Sequence, residues 1–194
     1  MKLIILEGGD RLGKSTIIKR LCEYYNYDNI TIRHFGKPPK GMSPKKVLEF
    51  QFKAFKNELN LFYRIYTRSM NNYTYYPEVM IWNRSHLGEY VYSQMFRGGN
   101  PEKLKNKLLR FEKKLINYET YLITLTADPD FFNSRESDGH ELSKTLEQKT
   151  KELELFKEAH KFSILSHKHL IKVDNNGQFR TKDDIFNEVI NFIK

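Results

Sequence analysis

The sequence predicts an α/β fold, a doubly wound parallel β-sheet of about five strands flanked by helices. Three observations predict it. Short apolar runs alternate with longer stretches of helical periodicity. The first of these runs, Lys2 to Glu7, is apolar on both alternating faces, as suits the buried centre of a parallel sheet. A glycine-rich turn then joins that run to a helix. No internal repeat, low-complexity tract or compositional shift divides the chain, so residues 1–194 read as one domain.

The elements follow in order. A helix is expected from about Ser15 to Tyr25, and a second strand from Ile30 to His34, closed by Gly36, Pro38 and Pro39. A long helical region runs from about Ser43 to Met70. Its apolar stripe of Phe52, Phe55, Leu59, Phe62 and Tyr66 recurs at three- and four-residue steps and reads first as core packing. The third strand is Val79 to Trp82 and the fourth is Thr120 to Thr126, with a lysine-rich helix from Pro101 to Asn117 between them. The fifth strand is Leu170 to Val173. A turn at Asp174-Asn175-Asn176-Gly177 and a last helix from Lys182 to Ile193 complete the chain.

Composition narrows the function classes. Hydrophobic residues make up 39% and charged residues 29%, which suits a packed core under a solvated surface. No apolar run approaches the roughly 20 residues of a bilayer span, and Leu3-Ile4-Ile5-Leu6 is too short for a signal peptide. The single cysteine, Cys22, cannot form an internal disulfide, so a reduced cytoplasmic setting is the default. The formal charge of +9 admits a nucleic-acid partner, a site for polyanionic small molecules, or simply a lysine-rich surface. The lysines are spread along the chain rather than gathered into one block, which disfavours the first of these.

The chemistry concentrates at Gly8-Gly9-Asp10-Arg11-Leu12-Gly13-Lys14-Ser15, which fits the phosphate-loop pattern of Gly, four residues, then Gly-Lys-Ser/Thr. Glycines let the backbone bend its N–H groups around an anion, and the following helix adds its positive end. Lys14 is placed to reach the β- and γ-phosphates of a nucleotide, and the hydroxyl of Ser15 to ligate Mg²⁺. No Asn-Lys-x-Asp motif of a GTPase is present. The third strand ends in Asn83-Arg84-Ser85, where a motor ATPase would carry an acidic residue.

The segment Leu6-Glu7-Gly8-Gly9-Asp10-Arg11-Leu12-Gly13-Lys14-Ser15-Thr16 resembles the opening of the thymidylate kinase family. Asn83-Arg84-Ser85, continuing to Tyr92, is similar to that family's Asp-Arg-Tyr segment, and equally to the Glu-Arg-Ser of deoxynucleoside kinases. The resemblance implies a P-loop kinase that uses ATP and Mg²⁺ to phosphorylate a deoxynucleoside monophosphate, thymidylate first. It implies that Gly8 to Thr16 cradle ATP, that Lys14, Arg11 and Arg84 are catalytic, and that Asp10 holds the acceptor's sugar while Arg84 binds its phosphate. Phe62 and Tyr92 would flank the acceptor base. Residues from about 128 to 145 correspond to the family's short lid, from which Arg135 would reach ATP. Related kinases are often dimers, so a homodimer is an open expectation.

Two departures stand out. Asn83 replaces the family's carboxylate, with Glu7 or Asp128 as candidates to complete a metal shell. After the second strand, His34-Phe35-Gly36-Lys37-Pro38 replaces the family's Arg-Glu-Pro. The missing glutamate counts against a nucleoside acceptor, because a monophosphate carries its own nucleophilic oxygen and needs no base. Three alternatives stay open: a deoxynucleoside kinase, a kinase acting on polynucleotide or on a modified base in DNA, and an ATP-binding protein without turnover.

Overall fold

The structure is a computed structural model and describes residues 1–36, 38–39, 41–70, 77–134 and 142–194. Five parallel strands form its sheet in the order β2-β3-β1-β4-β5: β1 Lys2–Gly8, β2 Ile30–His34, β3 Val79–Asn83, β4 Thr120–Thr126 and β5 His167–Lys172. The helices are α1 Lys14–Tyr25, α2 Pro44–Met70, α3 His86–Arg97, α4 Pro101–Glu112, α5 Pro129–Ser134, α6 Leu146–Phe162 and α7 Lys182–Ile193. A hairpin of β6 Asp174–Asn175 and β7 Gln178–Phe179 lies between β5 and α7.

The pleat of β1 sorts its side chains into two cores. Ile4 and Leu6 join Ile17, Leu21, Val189 and Ile190 under α1 and α7. Leu3 and Ile5 join Phe55, Leu87, Leu108 and Phe156 under α2, α3, α4 and α6. β1 is therefore covered on both faces, which is why its run reads as continuously apolar. Ligands of such sheets bind beyond the carboxyl ends of the strands where the connections reverse direction. Here that place is the end of β1, between β3 and β4.

Three expectations shift. The helix predicted to Asn117 ends at Glu112, because Lys114 N–H bonds to Phe111 O and Leu115 N–H to Glu112 O. These bonds tighten the chain into turns that bury Leu115. The fifth strand begins at His167 rather than Leu170. It lies at the sheet edge, so its His-Lys-His start faces outward and carries no apolar signal. The turn at Asp174 to Gly177 is a hairpin whose tip residues Asn176 and Gly177 both have positive φ.

Candidate active site

β1 delivers the loop. Gly8 has φ 123° and its Cα faces the Leu125 carbonyl so closely that an added Cβ would lie 2.5 Å from that oxygen. Only glycine lets β1 and β4 approach while the chain turns. Gly13, with φ 94°, forms the N-cap of α1, and no side chain caps the helix there. The first-turn amides of α1 are thereby left to an anion.

Lys14 is buried, and its Nζ donates to the carbonyls of Gly8 at 2.7 Å and Gly9 at 2.5 Å. Burial lowers its pKa to about 8 against the opposing charges of Glu7 and Glu152. Asp10, Arg11, Ser15 and Thr16 share one cavity with Asn83 and Arg84 from the end of β3. Arg84 is ion-paired with Asp10. Arg11 at φ 65° and Arg84 at φ 62° both occupy the left-handed region, a conformation that costs a residue with a side chain roughly 1–3 kcal/mol.

Behind them, Glu7 is fully buried and its Oε1 accepts from the N–H groups of Leu87 at 3.1 Å and Gly88 at 3.4 Å. It thereby ties the first turn of α3 to β1 and sets where Arg84 emerges. Burial raises the pKa of Glu7, opposed by His86, Lys14 and Arg84 among others. Glu152 of α6 accepts from the Tyr92 hydroxyl at 2.8 Å.

The two sequence departures meet each other. His34 and Asn83 are register partners in the β2–β3 ladder, and Asn83 Nδ2 lies 2.8 Å from His34 Nδ1. Asn83 Oδ1 is buried and has no hydrogen-bond partner among the described residues. Ser15 and Asn83 line one cavity and each carries a side-chain oxygen, the donor type that Mg²⁺ takes when phosphates and waters supply the remainder of its shell. The residues present fit the ion. Asp128 is engaged elsewhere, bonded to Lys172 Nζ at 2.7 Å.

A second cleft opens beside Arg84, walled by Phe35, Phe55 and Tyr92 and floored by Gln51, Glu89 and Arg97. Tyr92 of α3 lines this cleft. Phe62 does not: it is fully buried among the rings of Tyr63, Tyr66 and Tyr118, and the rings of α2 and of the segment after β2 that reach the cleft belong to Phe55 and Phe35. Phe62 is thus a core residue, one face of the stripe already read as packing. A third cleft runs from Thr16 and Arg20 of α1 to Arg180, Lys182 and Phe186, on the opposite side of the phosphate loop. Arg135 and residues 136–141 of the predicted lid lie outside the described residues; of that stretch, Pro129–Ser134 is the helix α5.

Sequence reasoning missed Glu89, Arg97 and Glu152. Glu89 and Arg97 are eight positions apart, about 12 Å of helix rise, so neither helix-pair spacing nor a motif connects them. Glu152 was hidden in the charge-rich pattern of α6.

No protein-family model matches the sequence, and no curated protein sequence matches it. Solved structures do match its fold. The YorR protein of Bacillus subtilis, solved in complex with phosphorylated GDP, aligns with TM-score 0.65 and 21% identity over 99% of this chain and 95% of its own. Thymidylate kinase from Ehrlichia chaffeensis aligns with TM-score 0.62 and 15% identity, covering 100% and 98%. Thymidylate kinase from Candida albicans aligns with TM-score 0.57 and 19% identity, covering 99% and 90%. The fold is therefore that of the thymidylate-kinase-like P-loop proteins.

Proposed function

We propose that this chain is an ATP-dependent kinase that transfers the γ-phosphoryl group to the phosphate of a deoxynucleoside monophosphate. One observation carries the proposal: the phosphate loop with Lys14 and Ser15 shares a single cavity with the Asp10–Arg84 pair. Donor and acceptor anchors therefore face one small volume, and phosphoryl transfer is chiefly a matter of positioning and charge.

In this reading, residues Gly8 to Thr16 wrap the triphosphate and the cleft by Arg20 and Phe186 takes the donor base. Lys14 leaves the Gly8 and Gly9 carbonyls to bridge the β- and γ-phosphates. Arg84 takes the acceptor phosphate while Asp10 takes the sugar hydroxyl, so the two separate from one another as the acceptor enters. An acceptor phosphate oxygen bonds to the γ-phosphorus, the bond to the β–γ bridging oxygen breaks, and ADP leaves. Arg11 follows the charge on the transferring group. Mg²⁺, when bound, supplies charge neutralisation on the β- and γ-phosphates. Ser15 would hold it directly and Asn83 would hold one of its waters.

The resemblance of the loop alone would put thymidylate first among acceptors, and the assay compares it with the other bases. The test is transfer from γ-labelled ATP with Mg²⁺ to dTMP, dUMP, dGMP, dCMP, thymidine and single-stranded DNA. Labelled diphosphate is expected from at least one monophosphate, and Lys14→Ala should lower it about 10³-fold in a protein that stays folded. Transfer to thymidine or DNA alone would overturn the acceptor class. A variant retaining a tenth of the activity would overturn the role of Lys14.

A further inference from the structure

The acceptor cleft has a polar floor that its aromatic walls do not explain. Glu89 and Arg97 lie at opposite ends of α3 and meet with N···O at 2.8 Å. The Glu89 side chain is only 4% exposed and that of Arg97 16%. The contact lies off the hydrogen-bonding axis. Glu89 Oε1 and both Nε and Nη2 of Arg97 are buried without a directed hydrogen bond among the described residues. Buried polar atoms in that condition cost roughly 1–3 kcal/mol each unless something pairs with them. Here they line the same cleft as Arg84 and Tyr92.

Resting on the reading that Arg84 holds an acceptor phosphate, we propose that Glu89 and Arg97 read the edge of the acceptor's base and select an amino-bearing nucleobase over thymine. The waiting groups are one acceptor oxygen beside two donor nitrogens. An exocyclic amine next to a ring nitrogen or carbonyl complements them: the amine donates to Glu89, and the ring acceptors take the N–H groups of Arg97. Cytosine presents one amine and two acceptors in a row. Guanine offers its amine and ring N–H to the carboxylate and its carbonyl to Arg97. Thymine presents its one N–H between two carbonyls, so a carboxylate that accepts from the N–H must bring its other oxygen against a carbonyl. The walls fit the same reading. Phe35, Phe55 and Tyr92 line the cleft with aromatic side chains, and the Tyr92 hydroxyl is already committed to Glu152.

The ionisation state supports this arrangement. Burial raises the Glu89 pKa to about 7 against the opposing pull of Arg97 on its own helix and Lys107 on α4. At pH 8 Glu89 is chiefly an acceptor-only carboxylate.

The experiment measures equilibrium binding of dCMP, dGMP, dAMP, dTMP and dUMP to the whole protein at pH 8 by calorimetry, beside the transfer assay. An amino-bearing monophosphate is expected to bind at least about tenfold tighter than dTMP. Glu89→Gln supplies one donor and one acceptor, which match the thymine edge, so that ratio should fall by about tenfold or reverse. Arg97→Gln should weaken dCMP and dGMP alike. Tightest binding by dTMP or dUMP, unchanged ratios in a folded Glu89→Gln protein, or no monophosphate binding at all would each overturn the proposal. Base-selective binding without transfer would leave this reading standing and defeat the kinase reading, so the two fail separately.

Discussion

Arg11 sits at φ 65° in the phosphate loop, where its left-handed backbone is offset by nothing in its own side chain's covalent preference. Such strain persists only where the surroundings fix it, and it clusters at sites that bind or react. The loop brings Arg11 to the wall of the cavity that Lys14 and Arg84 also line. A planar cation there can follow charge as it spreads over the equatorial oxygens of the transferring group. Arg11→Ala is accordingly expected to lower kcat about 10²-fold, with Arg135→Ala lowering it much less. Steady-state kinetics on both variants decide it, and a larger kcat loss at Arg135 would move the transition-state charge to the lid. The loop is legible in the amino-acid sequence because fixed spacing and glycine content define it. Tyr92 is legible by its distance from Arg84. Glu89 and Arg97 are not, since their contact depends on two long side chains closing eight residues of helix. Phe62, which the resemblance put beside the acceptor base, belongs to the stripe that reads first as core packing, and its ring contacts show that it is core.

At the scale of elements, the end of α4 shows how a charged residue can end a helix and bind its neighbours. Glu112 is fully buried and accepts from His86 Nε2, Ser163 Oγ and the Ile164 N–H, each at 2.8 Å. Burial works to raise its pKa, but the bonds from His86, Ile164 and Ser163 hold it below the usual carboxylate range. The group joins α4, the start of α3 and the chain after α6, so it fixes the helix that lines the cleft beside Arg84. Glu112→Ala should destabilise the fold by about 3 kcal/mol, read as a lower urea midpoint; a loss under about 1 kcal/mol would mean the network relaxes around the gap. His160 of α6 supplies a pH test of the same region. Burial, aided by Lys168, lowers its pKa to about 4, and its Nδ1 lies 3.0 Å from Thr124 Oγ1. Between about 6.5 and 4 the unfolded chain binds the proton that the folded one refuses. Stability on this account is complete above pH 6.5 and is lost as pH falls toward 4. His160→Gln should therefore lose less stability over that interval than the parent, and equal slopes of stability against pH would refute the assignment. Strand and helix existence in this region followed from apolar patterning. The end of α4 and the start of β5 did not, because an inward-facing glutamate and a solvent-facing edge strand both invert the expected polarity.

For the whole molecule the question is what a formal charge of +9 does. A nucleic-acid acceptor would need a continuous basic track toward the phosphate loop, and each phosphate contact would steepen the salt dependence of binding. Several of the described cations are instead used one at a time. Lys107 lies over the Phe52 ring and Lys105 over Phe162. Lys168 donates to the carbonyls of His160, Lys161 and Ser163, and Arg33 is paired twice with Glu58. Near the loop, Arg84 faces Asp10, while Lys14 feels the nearby charges of Glu7 and Glu152. Local pairing of this kind shortens the reach of the positive field, and physiological salt screens what is left beyond about 8 Å. Single-stranded and duplex DNA should bind no tighter than about 10⁻⁶ M at 0.15 M salt, the range of sequence-independent contact. Deoxynucleoside monophosphates, by contrast, should show KM values between about 1 μM and 1 mM that change little with salt. Fluorescence anisotropy of labelled 20-mers, titrated at 50 and 200 mM salt beside the transfer assay, makes the comparison. Nanomolar DNA binding that falls about 10³-fold across that interval, with no transfer to any free nucleotide, would show that the excess charge forms a track. The acceptor would then be nucleic acid, and Arg84 would be reading a backbone phosphate rather than a monophosphate.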